Sequence, residues 1–353
     1  MLELKIGDRV LYIEDIDIIL EQCEKSRNIL IDIPLGWKDI ARKVCNYISK
    51  KLGKNIILSG RSCWGPCDIT LDMLYRYDTI IHLGHFIPPN ILNAISRNVD
   101  KLRYYNIDNI SILEIYDRNF ESKIVFSYIY YKVSNNDIHK IDSVIEKIKN
   151  SKDIVVLCAP QYRDYASYIS EKLDCEFKYL TGCYMPKISN RDIVIISEGY
   201  FHFLTPILYN YPLDCLHCID ISKFYKIPKD HIERILRRLI LTKLKILTEF
   251  KNFNNAIILI SQKLGQRNIE TAYRIFKDLS QRYSTCILEM DDVNIETLCS
   301  YRESLFINTM CPRLGFDDLD RFHVPIVNPG ELKYIMGDVE LSNYNVRSIL
   351  EGF

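Results

Sequence analysis

Residues Asn28–Gly60 read NILIDIPLGWKDIARKVCNYISKKLGKNIILSG. Two apolar, β-branched runs, NILIDIP and NIILSG, bracket a stretch from about Trp37 to Lys51 in which Ile40, Val44 and Ile48 recur at helical spacing. Runs without polar alternation belong to strands covered on both faces. Strand, helix and strand at this length make a right-handed crossover between parallel strands. The pattern returns twice. DIVVLCAP, a helix from about Arg163 to Leu173 and EFKYLTG form the second copy. AIILIS, a helix from about Ile269 to Tyr283 carrying Ala272, Ile275 and Leu279, and TCILEM form the third. One more strand fits each copy: TIIHLG, DIVIIS and SLFINT. The sequence therefore predicts an α/β protein of three similar domains, each a parallel sheet flanked by helices. They span residues 1–128, 129–250 and 251–353, with boundaries near Val125–Ser134 and Leu244–Asn254.

Composition agrees with this division. A chain of 353 residues is too long for one ordinary core. With 46 basic and 46 acidic residues, no global field draws in nucleic acid or an anionic membrane. No apolar run approaches the roughly 18–20 residues that span a bilayer, and the acidic start MLELKIGDRVLYIEDIDIIL lacks the pattern of a signal peptide. A cytoplasmic protein is expected. In that reducing compartment the 12 cysteines are free, metal-bound or catalytic rather than paired.

Open α/β sheets bind ligands beyond the carboxyl ends of their strands, and this rule sorts the cysteines. Cys23, Cys45 and Cys299 fall in helical patterns and Cys158 and Cys286 in strands, where core packing accounts for them; Cys175 precedes a strand. Cys67 in RSCWGPCD, Cys183 in TGCYMP and Cys311 in NTMCPR each follow a strand, in a turn rich in Gly or Pro. Three such thiolates suit Zn²⁺ or three irons of a 4Fe–4S cluster, leaving one coordination position for a substrate. Three inert loop cysteines are the alternative that spacing alone leaves open.

Two local pairs compete. Cys63 and Cys67 make C-x3-C, but Thr70 stands where a conventional radical S-adenosylmethionine motif needs its third cysteine. Cys215 and Cys218 flank His217 with zinc-like spacing but no second pair, so they read as structural. Other polar groups gather at strand ends: His82 and His85 in IHLGHFIPP, Glu198, Gly199 and His202 in SEGYFHF, and Gly265, Gln266 and Arg267 in SQKLGQRN. Backbone N–H groups at the last of these suit a carboxylate or phosphate. His139, His231 and His323 have no such company and read as structural.

The stretches GPCDITLD, IHLGHFIPP, TGCYMP, SEGYFHF, SQKLGQRN and NTMCPRLGFDDLDRFHVPIVNPGEL occur in an order that resembles the diphthamide-synthesis radical enzymes, over nearly the whole chain. The last is the most specific, joining Cys311, Pro312 and Arg313 to Asp317 and Asp318. The resemblance implies three domains around a central cleft, each giving one cysteine, here Cys67, Cys183 and Cys311, to a 4Fe–4S cluster. It implies transfer of the 3-amino-3-carboxypropyl group of S-adenosylmethionine to C2 of a histidine in translation elongation factor 2. It further implies an archaeal-type homodimer and an electron donor that stays unidentified. Glu198, Gly199, His202, Gly265, Gln266 and Arg267 are the candidates for S-adenosylmethionine contacts; no further catalytic residue is assigned. Pro66 and the extra thiol Cys63 depart from the family pattern. Quinolinate synthase, which also draws one cluster cysteine from each of three repeats, is the enzymatic rival, and a non-catalytic partner subunit is the other reading.

Overall fold

The computed structural model describes residues 1–6, 9–146, 148, 153–189, 192–250, 253–316, 319 and 324–353. Asp317, Asp318 and His323 lie outside them. By its internal contacts the chain forms two compact units: Met1–Glu146 with Cys158–Phe177 and Lys263–Gly265, and Lys147–Leu157 with Lys178–Gln262 and Gln266–Phe353.

The first unit starts with the hairpin β1 (Leu2–Ile6) and β2 (Arg9–Ile13). Then come β3 (Ile29–Asp32), β4 (Ile56–Leu58), β5 (Thr79–Leu83), β6 (Lys101–Ile107), β7 (Ile110–Tyr116), β8 (Glu121–Ser127) and β9 (Ile129–Tyr131). Six of these form one sheet in the order β4-β3-β5-β8-β7-β6, and β9 joins the hairpin. β3 runs parallel to β4 and β5, as the crossover reading requires, and every residue of β3 and β5 is buried. The antiparallel extension β8-β7-β6 goes beyond the all-parallel expectation. The helix read from about Trp37 is Lys38–Leu52, and it buries Ile40, Val44 and Ile48. Each such side chain contributes about 1.5–3 kcal/mol.

Two further sheets repeat the theme along the chain. β10 (Ile154–Cys158), β11 (Phe177–Tyr179), β12 (Asp192–Ser197), β13 (Leu216–Asp220) and β14 (Tyr225–Lys226) lie in the order β11-β10-β12-β13-β14. β15 (Asn255–Ser261), β16 (Ser284–Met290), β17 (Ser304–Asn308) and β18 (Ile326–Val327) lie in the order β16-β15-β17-β18, parallel throughout. The helix expected to reach Tyr283 is Ile269–Leu279; Arg282 and Tyr283 turn back to donate N–H bonds to the Leu279 carbonyl at 2.9 Å each. Three times, then, the first strand of a copy sits between the other two: β4-β3-β5, β11-β10-β12 and β16-β15-β17. This is a mixed α/β fold in which several of the sheets contain parallel strands.

Candidate metal-binding site

Each cysteine selected by strand position lies beyond a strand's carboxyl end and is half-buried. Cys67 occupies the loop between β4 and the helix Leu71–Arg76. Cys183 sits in a turn closed by the antiparallel bridge Thr181–Tyr184. Cys311 follows β17 and precedes the 3-10 turn Pro312–Gly315. Cys23 and Cys158 are buried as expected, Cys158 with its thiol pushed up by burial. Cys286 and Cys299 lie in a strand and a helix as read, yet both are exposed rather than in the core. The cause is placement: β16 is an edge strand, and Ile295–Ser300 is a short helix burying only Leu298.

In the first unit two glycines bound Cys67. A Cβ on Gly65 would lie 3.3 Å from the Cys67 Sγ, and one on Gly265 would lie 2.5 Å from its Cα. Gly265 is there because the segment Lys263–Gly265 pairs with the Cys67 loop. Thr70 and Lys263 form an antiparallel bridge, and Leu264 N–H donates to the Ile69 carbonyl at 2.7 Å. The buried Lys263 ammonium meets the Asp68 carboxylate at 3.0 Å. The other Asp68 oxygen accepts N–H bonds from Trp64 and, at 3.1 Å, from Gly65. Asp68 and Lys263 thus set the shape of the loop. Sequence reading missed both, because two charges 195 positions apart send no local signal.

In the second unit Phe201 joins two cysteine loops. A Cβ on Gly182, next to Cys183, would overlap its ring at 1.7 Å. The Arg313 guanidinium, two residues after Cys311, stacks over the same ring at 4.5 Å. Thr205 Oγ1 donates to the Gly182 carbonyl at 3.0 Å, and the Tyr209 hydroxyl to that of Cys183 at 3.3 Å. Asn308 Nδ2 donates to the Cys311 carbonyl and to Asn328 Oδ1, each at 2.8 Å, with both asparagines fully buried. Both loops are therefore braced by side chains rather than held by backbone alone.

The candidates for S-adenosylmethionine contacts divide. Glu198 and Gly199 are exposed at the start of the helix Tyr200–Leu208, Gly199 with φ of 82°, and His202 is half-buried in its first turn. They adjoin Phe201 and hence the Cys183 loop. Gly265 packs on Cys67 in the first unit, whereas Gln266 and Arg267 fall in the second. Arg267 pairs with Glu289 and donates to the Ser261 carbonyl at 3.3 Å.

Cys63, the competitor of Cys67, turns elsewhere. Its thiol is buried against His82 and His85, and the three donor atoms lie within 4.8 Å of one another. Asp32, at the end of β3, lies 3.3 Å from His82 Nδ1. Burial opposes the charged form of Asp32, but the close approach and charge of His82, with the neighbouring Cys63 thiol, outweigh it and hold the carboxyl down at about 2. Burial, followed by the neighbouring His82, pushes His85 down to about 3. Burial, then the carboxylates of Asp32 and Asp68, raises the Cys63 thiol far above its ordinary value. Cys218 is buried within β13, where burial pushes its thiol up to about 12, whereas Cys215 is half-buried in the 3-10 turn Leu213–Cys215 before it.

Comparison with known proteins decides the family. The family described as "Putative diphthamide synthesis protein" matches residues 33–345. The chain belongs to the diphthamide-synthesis family. Among relatives in this family, a 2-(3-amino-3-carboxypropyl)histidine synthase of Methanocaldococcus jannaschii is 25% identical over 317 residues, covering 85% of this chain and 80% of that protein. A protein of the same name from Pyrococcus horikoshii is 23% identical over 346 residues, covering 93% and 90%. That name describes a transferase. The fold is similar to the crystal structure of Dph2 from Pyrococcus horikoshii, with a TM-score of 0.70 at 20% identity over 95% of this chain and 93% of that one. It is also similar to Dph2 of that organism with a 4Fe-4S cluster, with a TM-score of 0.69 at 20% identity over 99% and 96%. Among the described residues of this family member, no helix is long and apolar enough to cross a membrane.

The donors fit a thiolate-held cluster by their chemistry. Three cysteines, each half-buried on a loop beyond a strand end, offer sulfur ligands without the deep burial that keeps Cys158 a neutral thiol.

Proposed function

We propose that this family member is a 2-(3-amino-3-carboxypropyl)histidine synthase acting on translation elongation factor 2, with Cys67, Cys183 and Cys311 as ligands of a 4Fe–4S cluster. The observation that carries the reading is the bracing of these cysteines: Gly265 and Asp68 shape the first loop, and Phe201 and Asn308 the others. When bound, the cluster supplies the electron that breaks the bond between sulfur and the methionine Cγ of S-adenosylmethionine. Cys67 takes the ligand role over Cys63, because Cys63 is buried against two histidines and Cys67 is half-exposed.

The residues of the chain then bind and orient. The exposed backbone at Glu198 and Gly199, with the His202 ring, receives the amino and carboxylate groups of S-adenosylmethionine, as a helix start does for an anion. Gly265 keeps the Cys67 loop close, and Gln266 and Arg267 complete the set of contacts. The reading includes three domains, residues 1–128, 129–250 and 251–353, around a central cleft, and a cytoplasmic homodimer served by a separate electron donor. A protein substrate must present one histidine on a loop tip, so recognition depends on folded elongation factor 2 rather than on a short peptide.

The test is anaerobic incubation with dithionite, carboxyl-labelled S-adenosylmethionine and elongation factor 2, beside a variant lacking the acceptor histidine. Methylthioadenosine and label on the unmodified factor alone are expected. Main release of 5′-deoxyadenosine, or equal labelling of both factors, refutes the proposal. Cluster binding without transfer favours a supporting subunit instead.

A further inference from the structure

We propose that Cys63, His82 and His85 form a second metal site, suited to a divalent cation of borderline softness such as Zn²⁺ and separate from the three cysteines assigned to the cluster. The three donors converge from different elements. His82 is the next-to-last residue of β5, His85 follows the turn at Gly84, and Cys63 lies in the loop after β4. Gly84 makes the turn possible: its φ is +85°, and a Cβ there would strike the Trp37 ring at 2.5 Å.

Spacing admits one ion among the three donors after a small separation of the two imidazoles, which now share a hydrogen bond. The Cys63 Sγ lies 3.9 Å from His82 Nε2 and 3.9 Å from His85 Nδ1, and the two nitrogens are 3.0 Å apart. Metal distances of about 2.3 Å to sulfur and 2.0–2.1 Å to nitrogen in a tetrahedron place such atoms about 3.3–3.7 Å apart, and the observed set brackets that range. The thiol separations are long for useful S–H···N bonds and short enough for ligands of one ion.

The surroundings point the same way. The far nitrogen of His82 faces the Asp32 carboxylate at 3.3 Å, the carboxylate–histidine arrangement that orients metal ligands. Yet His82 Nδ1 meets Asp32 Oδ2 without the geometry of a hydrogen bond, and Asp32 Oδ1 is buried with no partner. A small rotation of the ring onto an ion would align that pair. Charge closes as well: a thiolate and the Asp32 carboxylate together balance a divalent cation. Lys38, the other cation acting on both groups, is half-buried and donates to the Ser59 carbonyl at 2.8 Å. His82 and Cys63 are buried and His85 is half-buried, so the fourth position opens on the His85 side, to water or an outside ligand. The ion would clip the loop that carries Cys67 to the end of β5.

The test uses the full chain, reconstituted anaerobically with iron and sulfide so that Cys67, Cys183 and Cys311 are occupied, cleared of loosely held metal with a chelator and titrated with Co²⁺, read as a difference spectrum against the cobalt-free sample. The expected result is one ion per chain, with the visible bands of a tetrahedral site and a thiolate charge-transfer band. Cys63→Ser abolishes the charge-transfer band and His85→Ala removes the ion, while Gly36→Ala changes neither. Asp32→Asn weakens binding about 10–100-fold, as loss of an orienting carboxylate does. Folding of each variant is checked by circular dichroism. Three results overturn the proposal: a wild-type chain without the charge-transfer band, a band that survives in Cys63→Ser, or iron lost with cobalt in folded Cys63→Ser. Cluster iron counted in the same samples keeps failure here distinct from failure of the synthase assignment.

Discussion

Gly265→Ala tests whether the geometry around Cys67 carries function. The added methyl would lie 2.5 Å from the Cys67 Cα, 2.7 Å from its Cβ and 3.0 Å from Ile91 Cγ2. Carbon atoms rest at about 3.5–4.0 Å, so one backbone must retreat by about 1 Å. The Gly265 side resists: Leu264 is held by Ile69 at 2.7 Å and by Asn98 at 3.1 Å, and Lys263 by Asp68 at 3.0 Å. The Cys67 loop therefore moves, at an overpacking cost of about 1–3 kcal/mol. Guanidinium unfolding measures that cost, and iron per chain after anaerobic reconstitution measures the misplaced ligand. Gly36→Ala is the control, since a methyl there meets nothing within 4 Å. Wild-type stability together with wild-type iron in Gly265→Ala would refute the reasoning.

Asp68→Asn removes one partner of a buried ion pair and is expected to cost about 3–5 kcal/mol, read by denaturant unfolding, with iron retention falling in parallel. Lys243→Met leaves the fully buried Glu331 carboxylate without the ammonium that meets it at 2.6 Å; a loss of about 3–5 kcal/mol is expected, partly recovered when Glu331→Gln is added. Arg313→Ala removes the cation stacked on Phe201 at 4.5 Å; about 0.5–2 kcal/mol is lost, and the cluster spectrum shows whether Cys311 has shifted.

What the sequence made legible was what is local. Continuous β-branched runs marked β3, β10 and β15 because each is covered on both faces. The positions of Cys67, Cys183 and Cys311 followed from those runs. The strands β6 and β7 were passed over; along β6 every residue is exposed or half-buried, so it lacks the continuous apolar run that marks a covered strand. Charged anchors were invisible for another reason. Asp32, Asp68 and Lys263 were not singled out, because nothing local marks a charge that the fold will bury beside a distant partner. Cys63 read as a spare thiol because the histidines that meet it come 19 and 22 positions later.

The pairing of Lys263–Gly265 with the Cys67 loop also sets a clock on synthesis. At about 5–20 residues per second, the ribosome needs about 10–40 s to travel from Cys67 to its late partner. Closing so long a loop carries an entropic cost of about 5 kcal/mol, which a nascent chain cannot meet until the third sheet's first strand has emerged. Through that interval the Cys67 thiol has no finished loop around it, so iron offered to a growing chain would meet an unshaped ligand. Shaping of the Cys67 loop is thereby scheduled after Lys263–Gly265 has been made, and a chain truncated before Lys263 would carry the cysteine without the segment that pairs with its loop.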